Sequence, residues 1–403
     1  MSHCQKRFAL LKNPPFFAYM VGFLFAAIGN GLGYIAMSWI VVARHGGVTS
    51  MAILMACFWG PNVILSPIMG VLADRISRKT IMTFSNFIRA LIFIIFSIYL
   101  TKHFSVNIVY VMMFCVGISF SAFFSSVYGF MRELVPAKDL MYANSMIDMI
   151  YETGNLIGMG SAGLLIAWTS TETAIFINGI AFLIATVTMI IIPKKVLIHG
   201  GKKSIQKIRI IKDFHDGLLY LWNRKKLMSI YTIQLLIFIT YLTTPLLLVP
   251  FSKDILNATV EQFGIIEAFA SIGIVIGGIF LPWLAEKFGL IRTILFFCFV
   301  LAIVFAIFGF NRSIHFATGF YFIIGFAGAV WPLIITRAQS LTDIDFQGRV
   351  QSTFNSLSGM MMMVFYFSVG TLGNYFGVAH LYLIEVMITI VAILFLIQNR
   401  KNF

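Results

Sequence analysis

The sequence predicts an all-α integral membrane protein with twelve transmembrane helices in two six-helix pseudo-repeated bundles. Three observations predict this fold class. The chain of 403 residues is 60% hydrophobic and only 11% charged, whereas a soluble globular protein carries about 25% charged residues. Long apolar runs recur along its whole length, and the basic residues concentrate in alternate joints between those runs.

Twelve apolar runs have about the 20 residues that a helix needs to cross the hydrocarbon core. Every backbone polar group inside hydrocarbon needs a partner within its own segment, so these spans are predicted to be helices. The first run is much longer than the apolar region of a signal peptide, about 7–15 residues, and is predicted to be a span. The spans cover residues 15–43, 49–72, 80–100, 106–131, 141–167, 173–193, 227–251, 262–284, 291–310, 313–337, 350–375 and 378–398.

The distribution of basic residues predicts the orientation of these spans. With a cytoplasmic N-terminus, 24 of the 29 Lys and Arg residues fall in joints and tails on the cytoplasmic side, 4 fall outside, and Arg89 lies inside span three. The positive-inside rule therefore predicts that both termini are cytoplasmic. This distribution also explains the net charge of +14 without a nucleic-acid partner.

One long polar joint divides the chain into an N-terminal bundle (1–193), a basic linker (194–226) and a C-terminal bundle (227–403). Within the linker, residues 204–222 interleave apolar residues with Lys and Asp, which is typical of an amphipathic helix on the inner leaflet. The alternative is a solvated linker that is only partly helical. The tetrapeptide Leu-Ala-Asp-Arg at 72–75 recurs as Leu-Ala-Glu-Lys at 284–287, an offset of 212 that indicates an internal repeat.

The run Gly-Val-Leu-Ala-Asp-Arg-Ile-Ser-Arg-Lys at 70–79 is predicted to form a tight cytoplasmic turn between spans two and three. Gly70 is expected to let backbones approach closely, and Asp74 to face a positive helix N-terminus. The basic side chains of the run would face the anionic leaflet. An ordinary positive-inside loop is the alternative interpretation.

This run resembles the loop signature G-x-L-a-D-R-x-G-R-[KR] of the major facilitator superfamily, with Ser77 in place of the second glycine. The six-plus-six arrangement of spans and the central basic joint also resemble that family. The resemblance implies that Asp74 pairs with an arginine at the end of span four and with the start of span eleven. Gly348-Arg349 resembles an element of the enterobactin-exporter and macrolide-efflux branch. The implied conformational latch comprises Gly70, Asp74, Arg75, Arg78, Arg132 and Arg349.

A second resemblance falls in span five. Efflux antiporters carry G-x-x-x-G-P-x-x-G-G there, and residues 154–163 keep that spacing with Met159 for the proline and Ala162 for one glycine. The resemblance favours export over import. From the residues alone, Gly154, Gly158 and Ala162 form a ridge of small side chains that is predicted to allow close helix packing.

Charged residues inside the spans are the candidates for proton coupling, because an intramembrane charge is costly and functional by default. Asp148 and Glu152 lie four residues apart on one face of span five, where two carboxylates would resist double ionisation. A structural pair neutralised by Arg89 is the alternative. Glu267 is a further candidate, since the resemblance implies that span eight faces span five. Glu267 and Glu385 could instead simply reach the membrane interface.

The resemblance implies a substrate cavity lined by spans one, four, seven and ten. A mixture of aromatic and amide side chains there suits an amphipathic organic molecule, although aromatic residues also serve as packing or lipid-facing groups. The candidates are Asn30, Tyr34, Ser121, Phe124, Tyr128, Gln234, Tyr241 and Trp331.

The sequence carries no P-loop, no Ser/His/Asp set and no zinc-protease motif, so neither an enzyme nor an ATP-driven pump is expected. We expect no cofactor and no metal, with a proton gradient as the energy source. The resulting hypothesis is a monomeric transporter of the cell inner membrane that exports a siderophore or a macrolide-like drug. Its partners would be the lipid bilayer and the small-molecule substrate. The alternatives are an importer with the same fold and a transporter-like receptor.

Overall fold

A computed structural model describes residues 10–136, 139–193 and 210–400, and every regular element in those ranges is a helix. The helices are α1 (Pro14–Arg44), α2 (Gly47–Arg75), α3 (Arg78–Leu100), α4 (Val106–Leu134), α5 (Leu140–Trp168), α6 (Thr171–Ile191), α7 (Ile210–Trp222), α8 (Lys225–Asp254), α9 (Val260–Phe288), α10 (Leu290–Phe308), α11 (Ile314–Gly328), α12 (Trp331–Leu341), α13 (Ile344–Phe376) and α14 (Val378–Gln398).

These helices confirm the predicted fold class. Helices α1–α6 are predicted spans one to six, α8–α10 are spans seven to nine, α11 and α12 together form span ten, and α13 and α14 are the last two. Eleven segments of the described chain are long and apolar enough to cross a membrane. Helix α5 is not among them although it has 29 residues, because its Asn, acidic and glycine residues lower its mean hydropathy.

The chain separates into two compact units, residues 1–40 with 57–208 and residues 41–56 with 209–403. Within the first unit, α3 packs against α6 and α4. Within the second unit, α10 packs against α14, and α9 packs against α11. Spans three and six therefore pair in one unit as spans nine and twelve pair in the other, as the internal repeat predicts.

Glycines mediate the closest helix contacts in both units. A Cβ atom at Gly117 of α4 would overlap the carbonyl oxygen of Phe58 on α2, and one at Gly325 of α11 would overlap that of Ala270 on α9. Phe58 and Ala270 are 212 positions apart, which is the offset of the sequence repeat. The two units thus use the same kind of glycine contact at an equivalent place.

The predicted small-residue ridge of span five is confirmed. A Cβ atom at Gly158 would lie 2.9 Å from the backbone nitrogen of Leu32, and one at Gly154 would lie 3.0 Å from the backbone oxygen of Leu24. Ala162 is fully buried. Helices α1 and α5 therefore touch backbone to backbone, which larger side chains would prevent.

The close backbone approach predicted at Gly70 stays a prediction. No described atom lies within 4 Å of a Cβ atom built on that residue. The side chains at 344–349, where span eleven begins, are outside those that the structure describes.

Span ten is broken at Ala329 and Val330, just before Pro332, which is the second residue of α12. Proline has no backbone N–H and its ring crowds the preceding turn, so a helix interruption at this place is expected. Pro245, in contrast, lies within the continuous helix α8.

Helix α7 carries the described part of the predicted amphipathic segment, whose residues 204–209 lie outside the described ranges. It packs against α13 and α8. Tyr220 and Leu221 are buried, whereas Trp222 is 72% exposed. The helix therefore has one face on the protein and another apolar face open to its surroundings.

Candidate functional site

A fully buried arginine lies at the centre of the first unit. Arg89 of α3 is 0% exposed. Its guanidinium donates hydrogen bonds to the side-chain oxygens of Asn86 at 2.5 Å and Asn30 at 3.2 Å. The same group stacks between the rings of Phe123 and Phe182, 4.6 and 4.4 Å from their centroids. The positive charge of Arg89 is therefore stabilised by amide oxygens and by the faces of two aromatic rings.

The alternative interpretation, a structural pair of span-five carboxylates neutralised by Arg89, receives no support from the described side chains. Glu152 is partly exposed, and no described carboxylate lies within 4 Å of the Arg89 guanidinium. The side chain of Asp148 lies outside those that the structure describes. Arg89 and Asn30, two predicted site residues from different helices, are nevertheless in direct contact.

Aromatic side chains form a strip along α4 with a neighbour on α5. Phe124 and Tyr128 are 37% and 40% exposed, and their centroids are 6.4 Å apart. Tyr151 of α5 lies 6.3 Å from Phe124. Ser121, one turn away, is fully buried and its hydroxyl has no described partner. Tyr34 of α1 is partly exposed.

A second aromatic cluster lies in the second unit, where three helices meet. Trp331 of α12 lies 5.3 Å from Phe238 of α8 and 6.3 Å from Phe354 of α13. Gln234, one turn before Phe238, is 1% exposed, and its side-chain oxygen has no described partner. The side chain of Tyr241 lies outside the described part. Each unit therefore places aromatic rings beside a buried polar group.

The acidic residues of the second unit are buried within it. Glu267 of α9 is 7% exposed and Glu385 of α14 is 1% exposed. The alternative that these carboxylates simply reach the membrane interface is therefore wrong. The side chains of the other helices cover both residues, so their charges are withdrawn from both lipid and water.

Glu385 is the site residue that sequence reasoning undervalued. One carboxyl oxygen accepts a hydrogen bond from the hydroxyl of Thr243 on α8. The other carboxyl oxygen is buried and has no described partner. Near it on α14, Tyr382 shares a 3.0 Å hydrogen bond with Tyr321 of α11. No ion pair to Glu385 occurs among the described side chains. In the sequence, the signal for this site is an acidic residue within an otherwise apolar span.

The structure describes the side chains of only some of the predicted latch residues. Arg75 and Arg132 are exposed, and the side chains of Asp74 and Arg349 lie outside the described set. The ion pair that the structure shows instead joins Arg78 to Glu133, with 2.8 Å between guanidinium and carboxylate.

Two further contacts fix this turn. Lys79 donates to the backbone carbonyls of Ile190 and Ile192 at the end of α6. A Cβ atom at Gly129 would overlap the Arg78 side chain, so a larger residue there would require that flexible side chain to shift. The basic residues at the start of α3 are thus held by α4 and α6 within the first unit.

Comparisons with known proteins agree with this architecture. The chain matches the family model described as the Major Facilitator Superfamily over residues 19–366 and 230–402. It is 22% identical over 358 residues to the multidrug efflux pump Tap of Mycolicibacterium fortuitum, covering 86% of each chain. It is 27% identical over 197 residues to the uncharacterized MFS-type transporter YfiS of Bacillus subtilis.

The YfiS match covers 49% of this chain and 46% of the relative, so the chain spans about half the length of that protein. Among solved structures, the nucleoside transporter NupG superimposes with a TM-score of 0.75 at 12% identity, covering 96% of this chain and 99% of the other. At that identity the likeness concerns the fold alone. Because the family model matches nearly the whole chain, the protein belongs to the Major Facilitator Superfamily.

Proposed function

We propose that this protein is a secondary active transporter that exports a small amphipathic organic molecule in exchange for protons, by alternating access. The observation that carries the proposal is the environment of Glu385, a carboxyl group that is 1% exposed with one oxygen lacking a described partner. We propose a monomer in the cell inner membrane with cytoplasmic termini and the lipid bilayer as its surroundings.

The argument for protons begins with the cost of a buried charge. An ionised carboxylate without a cation or sufficient hydrogen bonds is far less stable in an apolar interior than the neutral acid. The one described donor to the Glu385 carboxyl group is the Thr243 hydroxyl. We therefore expect Glu385 to hold a proton in this conformation. A rearrangement that admitted water would release it, which is the elementary step of proton coupling.

Other acids could share this role. Glu267 is also buried, and its helix α9 belongs to the same unit. Asp148 and Glu152 stay candidates in the first unit because their spacing places them on one face of α5. Arg89 would act as the fixed positive charge of that unit. Separate substitutions are needed to distinguish these groups.

The aromatic clusters favour an amphipathic organic substrate. Phe124 and Tyr128 expose ring surface beside the buried hydroxyl of Ser121, and Trp331 and Phe238 do so near the amide of Gln234. Rings of this kind stack on apolar or aromatic ligands, while a few polar groups select their orientation. A macrolide-like drug or a siderophore has both kinds of surface.

The direction of transport rests on two likenesses. The chain resembles a multidrug efflux pump over 86% of its length. In addition, α5 retains the spacing of the glycine pattern of efflux antiporters. Both features support export as the working direction.

The test is transport by the full-length protein in proteoliposomes, with a radiolabelled macrolide and a catecholate siderophore as separate probes. Movement is measured under an imposed pH gradient and also as counterflow without a gradient. We expect Glu385→Gln, which imitates the neutral acid, to abolish gradient-driven accumulation and to retain counterflow. Glu261→Gln, at a partly exposed acid in the first turn of α9, is the matched control and should retain both activities.

The same assay can contradict the proposal. Gradient-driven accumulation by Glu385→Gln would remove that residue from coupling and move the test to Glu267→Gln, Glu152→Gln and Asp148→Asn. If all four variants accumulated either probe as the wild type does, proton coupling through these acids would be wrong. If the wild-type protein moved neither probe, the substrate assignment would be wrong.

A further inference from the structure

Two buried tyrosines connect helices near the two buried acids of the second unit. The hydroxyl groups of Tyr321 on α11 and Tyr382 on α14 share a hydrogen bond of 3.0 Å. The two side chains are 2% and 1% exposed. A phenol hydroxyl that is withdrawn from water needs a polar partner, and this hydrogen bond provides one for both residues. The pair therefore forms a polar contact inside an apolar bundle.

One end of the tyrosine pair lies near Glu385. Tyr382 is three positions before Glu385 on α14, so the two side chains share one face of that helix. The Tyr382 hydroxyl also interacts electrostatically with the Glu385 carboxyl group. One oxygen of that carboxyl group accepts from Thr243, and the other is buried without a described partner. A buried polar atom of this kind is commonly bridged by a water molecule, which here would connect it to Tyr382.

The other end of the pair lies near Glu267. A Cβ atom at Gly325 of α11 would overlap the carbonyl oxygen of Ala270 on α9, so the two helices touch at that level. Tyr321 and Glu267 each lie about one turn before this contact, and they are therefore at the same level as each other. Tyr382 also interacts electrostatically with Glu267. The tyrosine pair is thus close to both acids.

Aromatic rings enclose this group of side chains. The ring centroid of Tyr382 lies 4.8 Å from that of Phe308 and 5.3 Å from that of Phe251. Two cations near the same ends of the helices, Lys253 and Arg312, donate to backbone carbonyl groups. Apolar rings exclude bulk water, so a proton that moves through this region needs a chain of polar side chains.

We propose that Tyr382 and Tyr321 relay protons between Glu385 and Glu267. This inference rests on the proposed role of Glu385 in proton coupling. The carboxyl proton of Glu385 passes to the hydroxyl oxygen of Tyr382, and the hydroxyl proton of Tyr382 passes to Tyr321. The hydroxyl proton of Tyr321 then passes to the carboxylate of Glu267. Each tyrosine ends with one proton, and the net change is the transfer of a proton from one acid to the other.

The positions of the two acids indicate where the relay meets water. Glu267 is the less buried acid, with 7% exposed against 1% for Glu385. Each acid lies seven positions after the first residue of its helix, and both helices begin on the side that the charge distribution predicts to be outside. A proton from that side would therefore reach Glu267 first and Glu385 by way of the tyrosines.

The test measures how fast Glu385 exchanges its proton for deuterium, by infrared spectroscopy of the full-length protein in lipid after a change from H2O to D2O. The carboxylic-acid band that is absent from Glu385→Gln identifies the group. We expect Tyr382→Phe and Tyr321→Phe each to slow deuteration of that band about 5- to 10-fold, because each removes one hydrogen bond from the path. The double variant should be no slower than the slower single variant, since both substitutions act on one path. Glu267→Gln should slow the exchange as well.

The matched control is Tyr231→Phe, which removes another buried phenol hydroxyl of the same unit. Tyr231 lies on α8, is 5% exposed, and has its hydroxyl 3.5 Å from that of Thr342. This variant should exchange at the wild-type rate. Unchanged or faster exchange in either Tyr382→Phe or Tyr321→Phe would overturn the proposal. Equal slowing in the control, or a wild-type protein without a Glu385 band, would also overturn it.

Transport by the same variants separates this inference from the proposed function. We expect Tyr382→Phe and Tyr321→Phe to lose most of the gradient-driven accumulation and to retain counterflow. Wild-type accumulation in a variant with slowed exchange would overturn the role of the relay in coupling. If Glu385→Gln accumulated substrate, the proposed function would fail, and the exchange rates would still decide whether the tyrosines carry protons. Because exchange is measured without a substrate or a gradient, the two failures are distinguishable.

Discussion

Two adjacent glycines on α9 give opposite expectations for the same substitution. A Cβ atom at Gly277 would overlap the carbonyl oxygen of Phe326 on α11 and would lie 2.8 Å from the Cβ atom of Ala329. At Gly278, no described atom lies within 4 Å of that position. Gly277→Ala therefore forces α9 and α11 apart, whereas Gly278→Ala adds a methyl group in open space.

The magnitudes follow from these distances. Carbon atoms pack best at about 3.5–4.0 Å, so contact with the Cβ atom of Ala329 alone requires the two helices to separate by at least roughly 0.7 Å. The carbonyl oxygen of Phe326 lies closer still and requires more. Overpacking of this kind costs about 1–3 kcal/mol. Alanine in place of glycine in a helix recovers about 0.5–1 kcal/mol. We expect Gly277→Ala to destabilise the protein by about 1–2 kcal/mol and Gly278→Ala to stabilise it by about 0.5–1 kcal/mol.

The assay is equilibrium unfolding of the purified protein in mixed SDS and non-ionic detergent micelles, followed by circular dichroism. The two variants have the same composition, and their substitutions are adjacent on one helix, so differences in expression or micelle binding largely cancel. The decisive quantity is the sign of each change relative to the wild type. If Gly277→Ala is as stable as Gly278→Ala, the close packing of α9 against α11 at Gly277 is contradicted.

The remaining predictions concern two ion pairs outside the membrane core. Arg78→Glu or Glu133→Arg alone should lower the free energy of unfolding by about 1–3 kcal/mol, because each leaves like charges at a half-buried contact. The double variant that exchanges the two residues should recover part of this loss. If the two losses simply added in the double variant, the pairing would be contradicted. Hydrogen bonds from Arg224 and Tyr220 hold the pKa of Asp343 below its ordinary value. A lowered carboxyl pKa stabilises the fold above the ordinary pKa of Asp, and that stabilisation is lost as the pH falls through the folded value. The stability difference between the wild type and Asp343→Asn should therefore be fully present at neutral pH and decline only as the pH falls below about 4 towards the lowered pKa of the folded state. A difference that did not change with pH would refute this reasoning.

The sequence allowed us to predict several residues of the site, but few of the side chains that they contact. The small-residue ridge of α5 was predictable, because its spacing alone places Gly154 and Gly158 on one face of a helix. Arg89 was recognisable as a charge within a span, yet its partners Asn86, Phe123 and Phe182 were not. Asn86 lies one turn before Arg89 on the same helix, whereas Phe123 and Phe182 come from α4 and α6. Which helices meet is not encoded in any local pattern.

The contact of Glu385 was also not predictable from the sequence, because it joins two helices. Its position near one end of span twelve allowed a contact with the membrane interface, and only the packing of α14 against α8 places the carboxyl group beside Thr243. At the turn between α2 and α3, the resemblance directed attention to Asp74 and Arg132. The contact that the structure shows joins Arg78, four residues after Asp74, to Glu133, the residue after Arg132.

The hydropathy pattern predicted the lengths and approximate ends of the membrane helices, and the repeated motif indicated their internal repeat. The pattern could do so because the transfer of a segment into hydrocarbon depends on the summed hydropathy of that segment, which is a local property. Tertiary structure alone decided which face of each helix is buried, because in a bilayer both the packed face and the lipid face are apolar, so hydrophobic periodicity is weak. The partners of Arg78, Arg89 and Glu385 depend on the rotation of each helix about its own axis.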